Sequence, residues 1–401
     1  MIPMARQMKD SGVEWIGEMP EAWEVVKCKH LATVQAGFPF DSAKFSNSEG
    51  TPLIRIRDIT SGFTQTYYSG EYDSAYIVSK GDLLIGMDGD FNIRMWQSEN
   101  ALLNQRCCRV LSNSDIELSF LYYSLPFHLE ITNNLAYATT VKHLSNSDVL
   151  NAPIPYPSKS IRGRIISFLN NKCAKIDKVV EQTRATIEEY KKLKQTIITE
   201  AVTKGVRGPR PMKPSGAEWI DDIPEEWLSH KLKYVSSIKS GDYVDAQKLS
   251  FDGMYPVYGG GEQISSYHSY NVNEETIIIG RVGARCGCVT LTKQKCWATD
   301  NALILATNMY TRFAYYLLTG ANLNTLNTSN AQPLITGTKI MNLVISNPCK
   351  DEQQEIAAYL DTKCAEIDRI IEKKEQLLEE LGSYKKSLIY EYVTGKKAVQ
   401  A

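Results

Sequence analysis

Between positions 281 and 312 the chain carries Arg281, Arg285, Lys293, Lys295 and Arg312 against one acid, Asp300, with Trp297 among them. Guanidinium groups fork onto guanine and carboxamides onto adenine in a DNA major groove, and any cation can neutralise a phosphate. A second polar set lies upstream: Arg55, Arg57, Asp90, Asn92, Arg94, Asn104, Gln105 and Arg106. Asn301 and the aromatic residues Tyr258, Tyr267 and His268 complete the candidate DNA contacts. For any one of these residues the competing reading is a turn hydrogen bond or a surface ion pair. The argument therefore rests on the two sets as groups. The run "YPVYGGGEQISSYHSYN" (255–271) is rich in glycine, but no GxxxxGK[ST] accompanies it, and a tight turn beside half-buried tyrosines accounts for it.

Reactive chemistry is hard to place. An adenine methyltransferase needs an Asn/Asp-Pro-Pro-aromatic tetrapeptide, and "SNPC" at 346–349 is a poor substitute. There is no P-loop and no HExxH, and the five histidines are scattered. The nine cysteines, including Cys107-Cys108 and Cys286-Gly-Cys288, match no zinc spacing and read as reduced thiols, which implies a cytoplasmic protein and no metal. No run of 18 apolar residues offers a membrane span, and the first residues show no apolar signal region. A net charge of −1 means that any nucleic-acid surface must be local. Such a chain is expected to recognise rather than react.

The elements that position these residues occur twice. "SGVEWIGEMPEAW" (11–23) returns as "SGAEWIDDIPEEW" (215–227), and these stretches hold four of the six tryptophans. "IISFLNNKCAKIDKVV" (165–180) returns as "IAAYLDTKCAEIDRII" (356–371). Between them, "LLIG-x-x-G" (83–89) matches "IIIG-x-x-G" (277–283), and Asn104 and Asn301 occupy comparable places. The frames agree while the loop residues differ, as expected of two readers of different targets.

Two heptad seams follow the short-stranded globular regions. One runs from Leu169 through Cys173, Ile176, Val180, Thr183, Ile187, Tyr190, Lys194, Ile197 and Ala201. The other runs from Leu360 through Cys364, Ile367, Ile371, Lys374, Leu378, Leu381, Lys385, Leu388 and Tyr392. Each predicts a helix of about 40 residues, roughly 60 Å long, entered after Pro157 or Pro348 and left at Gly205 or Gly395. Because a globular region separates them, the two helices can pack antiparallel. The seam lysines Lys194 and Lys385 either set register or snorkel to solvent. The expected divisions are a first globular domain at 1–157, a helix at 158–202, a mobile linker at 203–214, a second domain at 215–348 and a helix at 349–395. The fold class is α+β, with an internal pseudo-two-fold repeat.

The paired tryptophan motifs, the "NKCAKID" and "TKCAEID" helices, "PLIRIRDI" and "GDLLIGMDGDFNIRMW … LLNQRCCRV" together resemble the specificity subunits of type I restriction–modification systems. The resemblance covers nearly the whole chain. It implies two target-recognition domains that each read half of a gapped, asymmetric DNA site, separated by a coiled coil that sets the gap. It also implies a chain that is not itself an enzyme and binds no cofactor. Two modification subunits would use S-adenosylmethionine to methylate adenine, and restriction subunits would use ATP and Mg2+. The alternatives are a self-contained modification or restriction enzyme and a coiled-coil scaffold with two protein-binding domains.

Overall fold

Leu83-Leu84-Ile85-Gly86 is a continuous apolar run, which suits a strand covered on both faces, and all four residues are buried. The computed structural model describes residues 6–135, 142–250, 252–292, 294–327 and 333–399. It divides into two units, 1–181 with 378–401, and 182–377.

In the first unit the central sheet is antiparallel, in the order Ile93–Met95, Leu83–Gly86, Cys107–Leu111, Thr33–Ala36. A second sheet runs Phe45–Ser46, Tyr67–Tyr68, Thr51–Ile54, Ala101–Leu103, Ile77–Val78. Helix α1 (Ile56–Ser61) lies on the central sheet, where an added Cβ at Gly86 would meet Ile56 at 3.0 Å and Ile59 at 3.6 Å. Helices α2 (Asp115–Leu135) and α3 (Asn146–Asn151) follow. Sequence reading places few long helices here. The 21-residue α2 escapes it because Pro126, inside the helix, reads as a breaker. Strands Glu24–Lys27 and Pro153–Tyr156 pair antiparallel, and Cys28 N–H donates to the Ala152 carbonyl, so residues 28–152 leave and return at one point.

The first long helix, α4 (Lys159–Lys204), passes from the first unit into the second. The second unit repeats the frame. Its central sheet runs Ser236–Ser240, Ala302–Thr307, Thr276–Gly280, Val289–Thr292, and a smaller one runs Glu262–Tyr267, Tyr255–Gly259, Trp297–Ala298. Helices α5 (Thr311–Gly320) and α6 (Gly337–Met341) precede α7 (Lys350–Val393), whose C-terminal part belongs to the first unit. Leu228–Lys231 pairs with Val344–Asn347, and Leu232 N–H donates to the Leu343 carbonyl, which closes 232–343 in the same way.

Within each unit the long helices run antiparallel. In the first, Phe168 meets Tyr392 with ring centroids 4.4 Å apart and Lys385 pairs with Asp177. In the second, Lys374 lies over the Tyr190 ring and Lys194 pairs with Asp368. Leu169, Cys173, Ile176, Ile187, Leu360, Cys364, Ile367, Ile371 and Leu388 are buried, while Val180, Ile197 and Leu378 are half-buried. Lys194 and Lys385 do not face each other. Each reaches an aspartate on the opposite helix instead, and the two pairs repeat at the 191-residue spacing of the sequence. Gly205 and Gly395 take left-handed φ of +78° and +76° just past the helix ends, as C-cap glycines do.

The tryptophan motifs close these ends. Trp23 is buried where a Cβ at Gly395 would touch it, and Lys396 donates to the Ile16 and Glu18 carbonyls. Trp227 donates to Glu352, and Arg210 stacks on its ring. The segment expected to be a mobile linker is tied down. Met212–Ala217 is a strand, Arg207 forks onto Glu355 and Arg210 pairs with Glu352 and Glu226, because the acidic first turn of α7 attracts these cations.

Candidate nucleic-acid interface

Ladder register determines which loops meet. In the first unit Ala36 pairs with Cys108 and Gly86 with Cys107, so three central strands stop at one edge. The loops that leave this edge carry Gly37–Phe38, Met87–Asn92 and Asn104–Arg106. Met87 N–H donates to the Arg106 carbonyl and Leu144 N–H to the Met87 carbonyl, which stitches the loops together. In the second unit Ser240 pairs with Leu303 and Gly280 with Ala302. Arg281 N–H donates to the Asn301 carbonyl there, and Ile335 N–H to the Arg281 carbonyl. The helices behind these edges are capped alike, α3 by Ser145 and α6 by Thr336. This second stretch of repeat, 143–151 with 334–342, was visible in sequence only through Asn151 and Asn342.

The same register corrects one pairing. Arg106 and Asn301 immediately precede equivalent strands, so Asn104 corresponds to Thr299 and not to Asn301. The carbonyls of Asn104 and Thr299 both accept from the first strand residue, Cys107 or Ala302, and their side-chain oxygens both hold the turn. Asn104 is only 7% exposed and its amide oxygen takes the Gln105 N–H, so it shapes the loop instead of presenting an edge to a ligand.

The other first-unit candidates separate by burial and partner. Asp90, Asn92, Gln105 and Arg106 are exposed on the edge loops. Arg55 and Arg57 are exposed at the start of α1, where the Arg55 N–H donates to Asp58. Arg94 is half-buried and donates to the Ile59 and Thr60 carbonyls at the end of α1, which makes it a structural clamp. Asp88, absent from the sequence candidates, is the hub. It accepts from Arg106 at 2.6 Å and contacts His143 Nδ1 at 2.8 Å. Partial burial pushes the Asp88 carboxyl up, but the hydrogen bonds from His143 and Arg106 outweigh this and hold it below its ordinary 3.8. Phe91 and Arg106 take φ of +48° and +67°, which is costly for non-glycine residues and persists only where the surroundings hold the backbone.

In the second unit Arg281, Asn301 and Arg285 lie on or beside the corresponding edge, Asn301 and Arg285 exposed and Arg281 half-buried. Tyr267 packs edge-on against Trp297, with His268 exposed beside it. Lys295 covers the Tyr270 ring at 4.6 Å. Tyr258 is half-buried in a core cluster, and burial raises its phenol above 10.0, so it is a packing residue. Lys293 lies outside the described residues. The adjacent thiols Cys107 and Cys108 are buried, which pushes both up to about 12 and leaves them as inert thiols. No group of His, Cys, Asp or Glu among the described residues is arranged to hold a metal. No helix among the described residues is long and apolar enough to cross a membrane.

A family model described as the type I restriction modification DNA specificity domain matches residues 20–189 and 224–380. The EcoBI specificity subunit of Escherichia coli is 34% identical over 201 residues, covering 50% of this chain and 42% of that protein. The MjaVIII specificity subunit of Methanocaldococcus jannaschii is 22% identical over 95% of this chain and 94% of its own length. A solved chain from work on complex assembly and conformational transition of the type I R-M system aligns with a TM-score of 0.64 at 18% identity. It covers 94% of this chain and 99% of that one, a likeness of fold.

Proposed function

The chain belongs to the type I restriction modification DNA specificity family, and on that premise we propose that it reads a bipartite, asymmetric duplex site, one domain to each half-site. The observation that supports this reading is the pair of strand edges. Equivalent ladders end in equivalent loops, yet Met87-Asp88-Gly89-Asp90-Phe91-Asn92 stands in one and Arg281-Val282-Gly283-Ala284-Arg285 in the other. A shared scaffold with different exposed donors and acceptors is what two different half-sites require.

The recognition chain makes and breaks no covalent bond. It recruits two modification subunits, which bind S-adenosylmethionine and methylate adenine, while restriction subunits supply ATP- and Mg2+-dependent cleavage. The complex works on cytoplasmic duplex DNA. Its phosphate neutralisation is shared with the partner subunits, which accommodates a net charge of −1.

Methylation-sensitive long-read sequencing of cells expressing this chain with its modification subunit tests the reading against cells lacking the chain. A gapped motif with N6-methyladenine on each strand, present only with the chain, is the expected result. An assembled complex that leaves no motif would instead favour a protein-binding scaffold.

A further inference from the structure

Beside the strand edge of the second unit lies an open cleft of about 510 Å³, bounded by Lys233, Lys239, Ser240, Arg281, Thr336 and Thr338. None of its described lining residues is acidic. Lys233 and Lys239 are exposed and have no acidic partner among the described residues, while Arg281 is half-buried and reaches Ser240 Oγ at 3.5 Å. Cations that line one space repel each other unless an anion joins them. The Lys233 ammonium lies over the neighbouring Tyr234 ring, 5.5 Å from its centroid, and Lys239 and Arg281 flank Ser240. The space is many times the roughly 30 Å³ share of one water, so a hydrated phosphodiester enters without rearrangement.

The first unit keeps one of these cations and lacks the other two. Lys29 stands where Lys233 does, each following the residue whose N–H closes its segment. Gln35 stands where Lys239 does, by its pairing with Arg109 as Lys239 pairs with Ile304. Its amide oxygen is occupied by Arg109 and its amide nitrogen by the Ala75 carbonyl. Met87, buried, stands where Arg281 does. The scaffold therefore does not require Lys239 or Arg281; the second domain carries these two, beside the lysine both units share, for a ligand.

We propose that Lys233, Lys239 and Arg281 seat a DNA backbone phosphate beside the second half-site, so that this cleft positions the duplex while neighbouring loops read it. This rests on the DNA-recognition reading above. Two consequences follow. Arg281, a candidate base reader from sequence, is a phosphate ligand. The ionic-strength dependence of binding is also weighted towards the second domain.

The experiment uses the chain assembled with its modification subunits. Binding to a duplex bearing the methylated motif and to a scrambled duplex is measured across a salt series for wild type, Lys233→Gln, Lys239→Gln and Arg281→Met. Each variant should weaken both duplexes by a similar factor. The slope of log K against log salt should fall by roughly one per cation removed, with the methylated motif unchanged. A relaxed base in the second half-site with an unchanged slope would make Arg281 a base reader and overturn the proposal. Unchanged slopes and affinities in all three variants, with wild type binding normally, would remove the cleft alone. A wild-type complex that binds no DNA would overturn both the cleft and the reading beneath it.

Discussion

Asp88 shows how the edge loops of the first unit are held together. Its carboxylate ties Arg106 from one edge loop and His143 from beyond another, and it does so only while ionised. The folded-state value lies below 3.8, so these bonds contribute stability above that pH, and the contribution is lost as pH falls through the lower folded value. The gap in melting temperature between wild type and Asp88→Asn should therefore be open at about pH 6 and close below about pH 4. Scanning calorimetry at several pH values checks this, and a gap that widens on acidification would contradict it. Gly37 and Gly241 set the closest backbone approaches at the two edges. A Cβ there would lie 2.0 Å from the Asn104 carbonyl oxygen and 2.2 Å from that of Ala298. Backbone cannot yield as a side-chain tip does, so Gly37→Ala and Gly241→Ala should each cost about 1–3 kcal/mol, read from urea midpoints.

At the scale of elements, the long helices separate apolar seam from ionic trim. Ile187 is 5% exposed, and Ile187→Ala should cost about 2–5 kcal/mol as a buried truncation. Lys194 and Asp368 are both substantially solvated, so Lys194→Leu should move stability by less than about 1 kcal/mol in either direction. Thermal melts of the two variants side by side distinguish these outcomes, and equal losses would mean that the lysine pair sets the packing. The buried pair at the start of α7 differs in kind. Glu352 is 2% exposed between Arg210 and the Trp227 indole. Removing Glu352 leaves the half-buried Arg210 only the exposed Glu226, and removing Arg210 leaves the buried Glu352 only Arg207 at 3.8 Å as its cation. The first unit meets the same need with Arg162, which is buried against Glu117 and stacked on Tyr156. Arg162 and its counterpart Gln353 both donate to the proline carbonyl before their helices.

At the scale of the whole molecule, modularity follows from the closing ladders. Each recognition segment enters and leaves through one antiparallel strand pair and one backbone bond, Cys28 to Ala152 or Leu232 to Leu343. Exchanging residues 232–343 for the corresponding segment of another family member should therefore change one half of the methylated motif and spare the other. Long-read sequencing of methylated genomic DNA reads this directly, and a change in both halves would refute domain-wise reading.

The duplication, the two long helices with their seams and capping glycines, and the division into two similar frames are all written in local sequence. Heptad spacing, proline and glycine placement and recurrent tryptophans act over short stretches of chain, where residue type alone is decisive. Which loop residues are available to a ligand was decided elsewhere. Asn104 and Arg94 looked like readers but serve the loops, and Asp88 and Lys239 were passed over because their importance lies in partners or vacancies distant in sequence. Strand register sets those neighbours. A shift of two residues in the alignment is enough to pair Asn104 with the wrong counterpart, and only the hydrogen-bonded ladders fix the correct one.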